Sequence, residues 1–253
     1  IGDSKGRIAW RLTGQMPGRS GDCDATAPLT VERPCRWSGW LAATENPSLV
    51  DPPTGRLWTA NARVVDGASL ALVGDHGYAN GARARQIRDG LFAKERFTEK
   101  DLLAIQTDDR TLFLARWYPL LRAQAAASAD PAWKDIEAAT ARWDEHAAPE
   151  AVTYRIVRAW RLAVIERIRH GLMAPAQAKL GDDFVMPDLP QIEGVAWQLV
   201  TSKPAHLLPR KFASWEALFL GAAKQVTTDL HREGPLAERR WGERNTAAIC
   251  HPL

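Results

Sequence analysis

Two kinds of hydrophobic spacing divide this chain. Between Gly6 and Gly14, apolar Ile8, Trp10 and Leu12 alternate with Arg7, Arg11 and Thr13, which predicts a half-buried strand over 7–13. Residues 15–55 hold six prolines and many polar side chains and read as a long structured loop. Pro53-Thr54-Gly55 then predicts a turn into a second short strand over 56–60. Past residue 79 the apolar spacing changes to steps of three and four. Thr98-Glu99-Lys100-Asp101 has the form of a capping box, and Asp130-Pro131 pairs an N-cap with a first-turn proline. Trp133, Ile136, Thr140 and Trp143 follow at helical steps. Val152, Ile156, Ala159, Trp160, Ala163 and Val164 form one stripe of a helix over 150–170, which Gly171 is expected to end. A short helix is predicted over 190–201. A longer one over 214–232 is capped by Ser214, carries Trp215, Leu218, Phe219, Ala222 and Val226 on one face, and stops at Gly234-Pro235. The expected fold class is α+β, predominantly helical. A strand-and-loop region at 1–78 and a helical region at 79–253 are expected to be parts of one larger domain.

Composition narrows the function classes. With 45% hydrophobic and 25% charged residues in 253, the chain can bury a core and is not a disordered one. The net charge of +3 gives little support for nucleic acid as a partner. No apolar run approaches the roughly 18–20 residues that span a bilayer, so no membrane partner is expected. The aromatic bulk is mainly indole, with 11 Trp against 6 Phe and 3 Tyr. Most Trp fall on the apolar stripes, which points to core packing over ligand stacking. Arg155, Arg158, Arg161 and Arg169 lie opposite the stripe of their helix and read as a solvated face, the alternative being an anionic surface or nucleic acid. Three cysteines leave two readings for Cys23 and Cys35: a local disulfide with Cys250 left over, or unrelated thiols. No Cys or His pair has zinc-site spacing.

Self-contained chemistry is scarce. The chain has no G-x-S-x-G elbow and no phosphate-binding glycine loop. Cys250 and His251 are neighbours in sequence, which does not make a dyad, and Asp108-Asp109 and Asp182-Asp183 read as solvated helix-end acids. The informative segment is 46–91. It runs Asn46-Pro47, then Asp51-Pro52-Pro53-Thr54-Gly55-Arg56-Leu57-Trp58-Thr59-Ala60-Asn61-Ala62-Arg63, then Gly77-Tyr78-Ala79-Asn80-Gly81-Ala82-Arg83. Asn61 sits where an amide at a strand end would be rigidly aimed and could donate to an oxygen that becomes negative during acyl transfer. By itself an Asn there also serves as a turn former. Arg83 opens the next helix and can hold a carboxylate or other anion.

This stretch resembles the penicillin acylase family of N-terminal-nucleophile amide hydrolases. An Asn-Pro, a Pro-x-x-Gly turn, an Ala-Asn element and a helix-opening Arg recur there in this order. Phe97 to Asp108 is similar to the element that follows them in the family. Asp3 to Gly14 with Pro17 and Arg19, Trp37-Ser38-Gly39-Trp40, and Arg240-Trp241-Gly242-Glu243-Arg244-Asn245 with His251-Pro252-Leu253 resemble three further elements.

The resemblance implies an incomplete αββα sandwich and hydrolysis of a linear amide between an acyl group and an amine, of the β-lactam side-chain or acyl-homoserine lactone type. Asn61 would be an oxyanion-hole donor and Arg83 its active-site support. The family's nucleophile is a Ser freed by self-cleavage, whose own α-amino group acts as base. No Ser here stands in that Gly-Ser-Asn context. The chain is therefore expected to be an internal fragment of a large chain, inactive alone, whose partners are the remainder of the same acylase and a small acyl-amide substrate. No cofactor is expected. The family binds a structural calcium, but the position of one ligand falls near Leu72, with Asp75 the nearest acid, so these residues do not support it. Family and cysteines together imply a periplasmic or secreted protein. The alternative function is a stand-alone helical binding module derived from the acylase scaffold.

Overall fold

A computed structural model describes residues 1–21, 23, 35–74 and 77–247. The chain forms two compact units, Ile1–Thr107 and Asp108–Leu253. The fold is α+β and predominantly helical, and among the described residues the strands lie in the N-terminal region.

In the first unit, β1 (Ala9–Arg11) pairs antiparallel with β4 (Ser48–Val50), Trp10 opposite Leu49. β2 (Pro17–Ser20) pairs antiparallel with β3 (Arg36–Trp40), with an irregularity between Gly18 and Arg19. The strand predicted over 7–13 thus forms at its centre. Three of these strands lie in the stretch read as loop, because proline-rich sequence hides three- to five-residue ladders. Cys23 and Cys35 are joined by a disulfide beyond the outer ends of β2 and β3, with Cα atoms 4.9 Å apart. Cys250 lies outside the described residues. Three helices follow: α1 (Gly67–Val73), α2 (Ala82–Phe92) and α3 (Glu99–Gln106). The capping box predicted at α3 is present: Thr98 accepts from the Asp101 amide and the Asp101 carboxylate accepts from the Thr98 amide. Gly90 of α2 faces Ile105 of α3 so closely that a Cβ would lie 3.1 Å from it.

The second unit is a helical bundle. Its helices are α4 (Trp117–Ala126), α5 (Pro131–Ala139), α6 (Val152–Leu180), α7 (Ile192–Ser202), α8 (Trp215–His231) and the single-turn α9 (Trp241–Arg244). Asp130 caps α5 through the Ala132 amide, and Ser214 caps α8 through the Ala217 amide. Trp160, fully buried on α6, is the hub of the core. Its ring lies 6.0 Å from Trp117, 5.8 Å from Trp133 and 5.7 Å from Phe219, and its Nε1 donates to the Phe219 carbonyl. Leu121, Ile136, Ile156, Val164, Leu218 and Val200 close around it with no exposure. Most indoles pack as expected, but Trp37 and Trp40 on β3 are 68% and 62% exposed.

Two sequence expectations fail in this unit. Gly171 does not end α6, which runs on through Pro175 to Leu180 and stops at Gly181 in the left-handed region (φ 57°). Gly171 instead admits Pro209, whose ring carbons would lie 2.5 Å from a Cβ there. Pro175 has no amide hydrogen to return to the carbonyl four residues back, which is Gly171 itself. Second, the arginine face of α6 is not a solvated face, nor one open to an anionic surface. Arg155 is 5% exposed and donates to the Arg240 carbonyl, Glu233 and Glu243. Arg161 is bidentate on Glu193, itself 3% exposed. Arg158 lies over the Trp241 ring at 5.1 Å, and Arg169 pairs with Glu166. The carboxylates that neutralise Arg155 and Arg161 come from other segments, so the sequence pattern of α6 could not show them. Among the described residues, no helix is long and apolar enough to cross a membrane.

Candidate functional site

The segment that leads to Asn61 does not form the strand predicted over 56–60. The turn before it is real: the Gly55 amide donates to the Pro52 carbonyl at 2.7 Å, with Gly55 at φ 62°. Residues 56–59 then join no ladder. Side chains, not strand partners, hold this segment. Arg56 donates through Nε to the Leu91 carbonyl (2.5 Å) and through Nη2 to those of Lys94 (2.6 Å) and Glu95 (3.2 Å). Its guanidinium faces the rings of Phe92 and Phe97, and Trp58 meets Phe92 edge-on at 5.8 Å.

The chain then enters strained backbone. Ala60 has φ 124° and Asn61 φ 60°. The second value suits Asn, whose short side chain tolerates the left-handed region; the first is unusual for an alanine. Bonds to both residues fix this geometry. The Ala79 amide donates to the Asn61 carbonyl at 2.8 Å. Arg83, in the first turn of α2, donates through Nη2 to the Ala60 carbonyl (3.0 Å) and to Asn61 Oδ1 (2.8 Å). Upstream of Arg83, the Asn80 side chain accepts from the Ala82 amide at 2.9 Å and secures the start of α2. The structure therefore brings together the two residues singled out in the sequence, Asn61 and Arg83, 22 positions apart.

That pairing has a chemical consequence. A guanidinium only donates, so it faces the amide oxygen of Asn61 and determines which way the amide is turned. The NH2 group must then point away from Arg83. Asn61 is exposed, and its Nδ2 meets no acceptor among the described residues. The result is a clamped, outward-facing double donor on a backbone held by two hydrogen bonds, with a third on its own amide oxygen. Such a group can stabilise an oxygen that gains negative charge without reorganising as it does so.

Sequence reasoning missed Arg56 and Asn80. Asn80-Gly81 ahead of an apolar-periodic run is a readable helix-start signal, whereas nothing local marks Arg56 as reaching residues 35 to 39 positions away.

Other sequence candidates fall elsewhere. Asp108 chelates Arg110, and Asp109 accepts from His146 Nδ1 at 2.5 Å, a bond that raises the His146 pKa above its ordinary value. In α3, Lys94 and the Thr98 cap lower the pKa of the Asp101 carboxyl to about 2. His251 and Asp75 lie outside the described residues. No group of three or more His, Cys, Asp or Glu that could hold a metal ion occurs among the described residues. The second unit has a cavity of about 520 Å³ beside α6, α8 and α9, floored by Leu162, Val226 and Leu230 and bordered by Arg158, Arg169 and Trp241. Burial lowers the Arg158 pKa there.

Comparison with known proteins links the chain to a class of enzymes, the amide-hydrolysing acylases. A profile of the penicillin amidase family matches residues 1–253, and the chain belongs to that family. It is 25% identical over 260 residues to the penicillin acylase 2 proenzyme of Pseudomonas sp. (strain SE83), covering all of this chain and 32% of that protein. It is 31% identical over 133 residues to the acyl-homoserine lactone acylase QuiP of Pseudomonas fluorescens, covering 52% of this chain and 16% of that one. The chain thus spans about a third or less of the length of these curated relatives. Among solved structures, a thermostable penicillin G acylase from Alcaligenes faecalis shares the fold. The TM-score is 0.57 at 16% identity, over 94% of this chain and 47% of that chain.

Proposed function

We propose that the intact protein hydrolyses a linear amide joining an acyl group to an amine, and that Asn61 supplies a donor of its oxyanion hole. The observation that carries this reading is the Arg83–Asn61 bond, which leaves Nδ2 facing outward. In the reaction a nucleophile adds to the amide carbonyl, the carbonyl oxygen becomes an oxyanion, and Nδ2 donates to it as the charge develops. Collapse of that intermediate expels the amine, and water then releases the acid. Arg83 makes no contact with substrate in this scheme; it holds the amide in the donating orientation. The nucleophile, the second oxyanion donor and the acyl pocket are contributed from outside residues 1–253, so these residues alone carry no turnover. Substrates of the two kinds named in the relatives, a penicillin or an acyl-homoserine lactone, both present such an amide. The Cys23–Cys35 disulfide supports a periplasmic or secreted location, where oxidising conditions preserve it.

The test is Asn61→Ala in the intact protein, assayed on a chromogenic acyl anilide. Loss of one oxyanion donor lowers kcat by about 10²–10³-fold with KM little changed. An unchanged kcat would remove Asn61 from the chemistry.

A further inference from the structure

Arg56 performs no step in the scheme above, yet it is tied into the structure as firmly as Arg83. It is half-buried, and its nitrogens reach four carbonyls: Thr54, Leu91, Lys94 and Glu95. Leu91 belongs to the last turn of α2, where carbonyls lack helical partners and the helix dipole is negative. A cation there meets unsatisfied acceptors. The rings of Phe92 and Phe97 lie 5.3 Å and 5.9 Å from its guanidinium carbon and add cation–π attraction.

The two arginines bind one segment to one helix from opposite ends. Arg83 reaches from the start of α2 to Ala60 and Asn61, and Arg56 reaches from the segment to the end of α2. Between Arg83 and Leu91 the helix rises about 12 Å, at ~1.5 Å per residue. Between Arg56 and Ala60 the chain can cover at most about 13 Å, at ~3.3 Å per residue. The two spans are comparable, so the segment runs along α2 in the opposite direction and is held at both ends. The Trp58 ring on Phe92 holds the segment between the two ends. A donor at the end of a segment anchored twice is placed by both of its anchors.

We propose that Arg56 is a positioning residue for Asn61, acting through α2. This rests on the reading of Asn61 as an oxyanion donor. Releasing the upstream anchor lets residues 57–60 drift and moves Nδ2 from where the oxyanion forms. A displacement near 1 Å at a catalytic group costs up to about 10²-fold in rate.

The experiment is a double-mutant cycle in the intact protein, with kcat and KM measured on the same acyl anilide for Arg56→Met, Asn61→Ala and the pair. Arg56→Met is expected to lower kcat by about 10–100-fold with KM within about twofold, and Arg56→Lys to recover part of the loss. In the Asn61→Ala background the same change should lower kcat by less than about twofold, because the group it positions is gone. Equal losses in both backgrounds would overturn the inference, since Arg56 would then act on folding or on another group. So would an unchanged kcat in Arg56→Met while Asn61→Ala is impaired, and that result leaves the oxyanion reading standing. Full activity of Asn61→Ala overturns both. If Arg56→Met does not fold, Arg56→Gln, which also removes the charge and the reach to Lys94 and Glu95, carries the same cycle with the same criteria.

Discussion

Glu193 offers a sharp test of the helical unit. It lies in the first turn of α7 and is 3% exposed. Its Oε1 accepts from Arg116 Nη2 (2.5 Å) and Trp117 Nε1 (2.9 Å), and its Oε2 from Arg161 Nε (2.8 Å) and Nη2 (2.5 Å). Those four donors fill the roughly four acceptor positions of a carboxylate. They come from the start of α4 and the middle of α6, so one side chain ties three helices together. Glu193→Gln keeps the volume but removes the charge and turns one oxygen into a donor. Whichever way the amide turns, two donors lose their acceptor.

The magnitude follows from exposure. Arg161 is 14% exposed, so its charge is left largely uncompensated, a loss of about 3–5 kcal/mol for a buried pair. Arg116, at 38%, regains water and adds little. The expected net loss is about 3 kcal/mol, a large part of a typical stability of ~5–15 kcal/mol. Urea unfolding followed by tryptophan fluorescence should show a lower midpoint with unchanged slope, and Tm should fall by about 6–12 °C. The double replacement Glu193→Leu with Arg161→Met should restore much of the loss, because an apolar filling of a buried ionic site is often neutral or better. A loss below about 1 kcal/mol for Glu193→Gln would refute the reasoning, since it would mean that water reaches Arg161 and the indole in the folded state.

Two further outcomes are expected. Gly171→Ala should destabilise the second unit by about 1–3 kcal/mol in chemical unfolding, because its Cβ collides with the Pro209 ring, while Ala at a helix-ending glycine in open space would cost far less. The raised His146 pKa means that the folded state binds this proton more tightly than the unfolded chain; its stabilisation is complete below about pH 6.5 and is lost as pH rises through the folded pKa. NMR titration should return His146 to its ordinary range in Asp109→Asn, and an unmoved titration would show that the Asp109 contact is not its cause.

What the sequence made legible was local. The Thr98, Asp130 and Ser214 caps are read from four residues or fewer, and all three form. The α8 stripe is equally local, and its apolar face is buried. What failed depended on distant partners. The arginines of α6 look solvated because Glu193, Glu233 and Glu243 lie 32 to 88 positions away. Gly171 looks like a stop because nothing near it announces Pro209. Residues 56–60 look like a strand because an extended backbone held by side chains and one held by a ladder share the same residue preferences.

The site joins both kinds of information. The family order of motifs pointed to Asn61 and to Arg83 as its support, but not to the backbone that presents the amide. That backbone is costly: an alanine at φ 124° stores of order 1–3 kcal/mol, and it persists only where its surroundings over-determine it. Here they do. Arg83 holds the Ala60 carbonyl and the Asn61 amide oxygen, the Ala79 amide holds the Asn61 carbonyl, and Arg56 anchors the chain five residues upstream. A relaxed strand end would direct an asparagine sideways into a neighbouring ladder position. The left-handed turn at Asn61 lifts the residue out of that plane, and the guanidinium then leaves the amide only one useful direction. Strain and clamp are therefore a single device, and removing either anchor should release the backbone before it unfolds anything else.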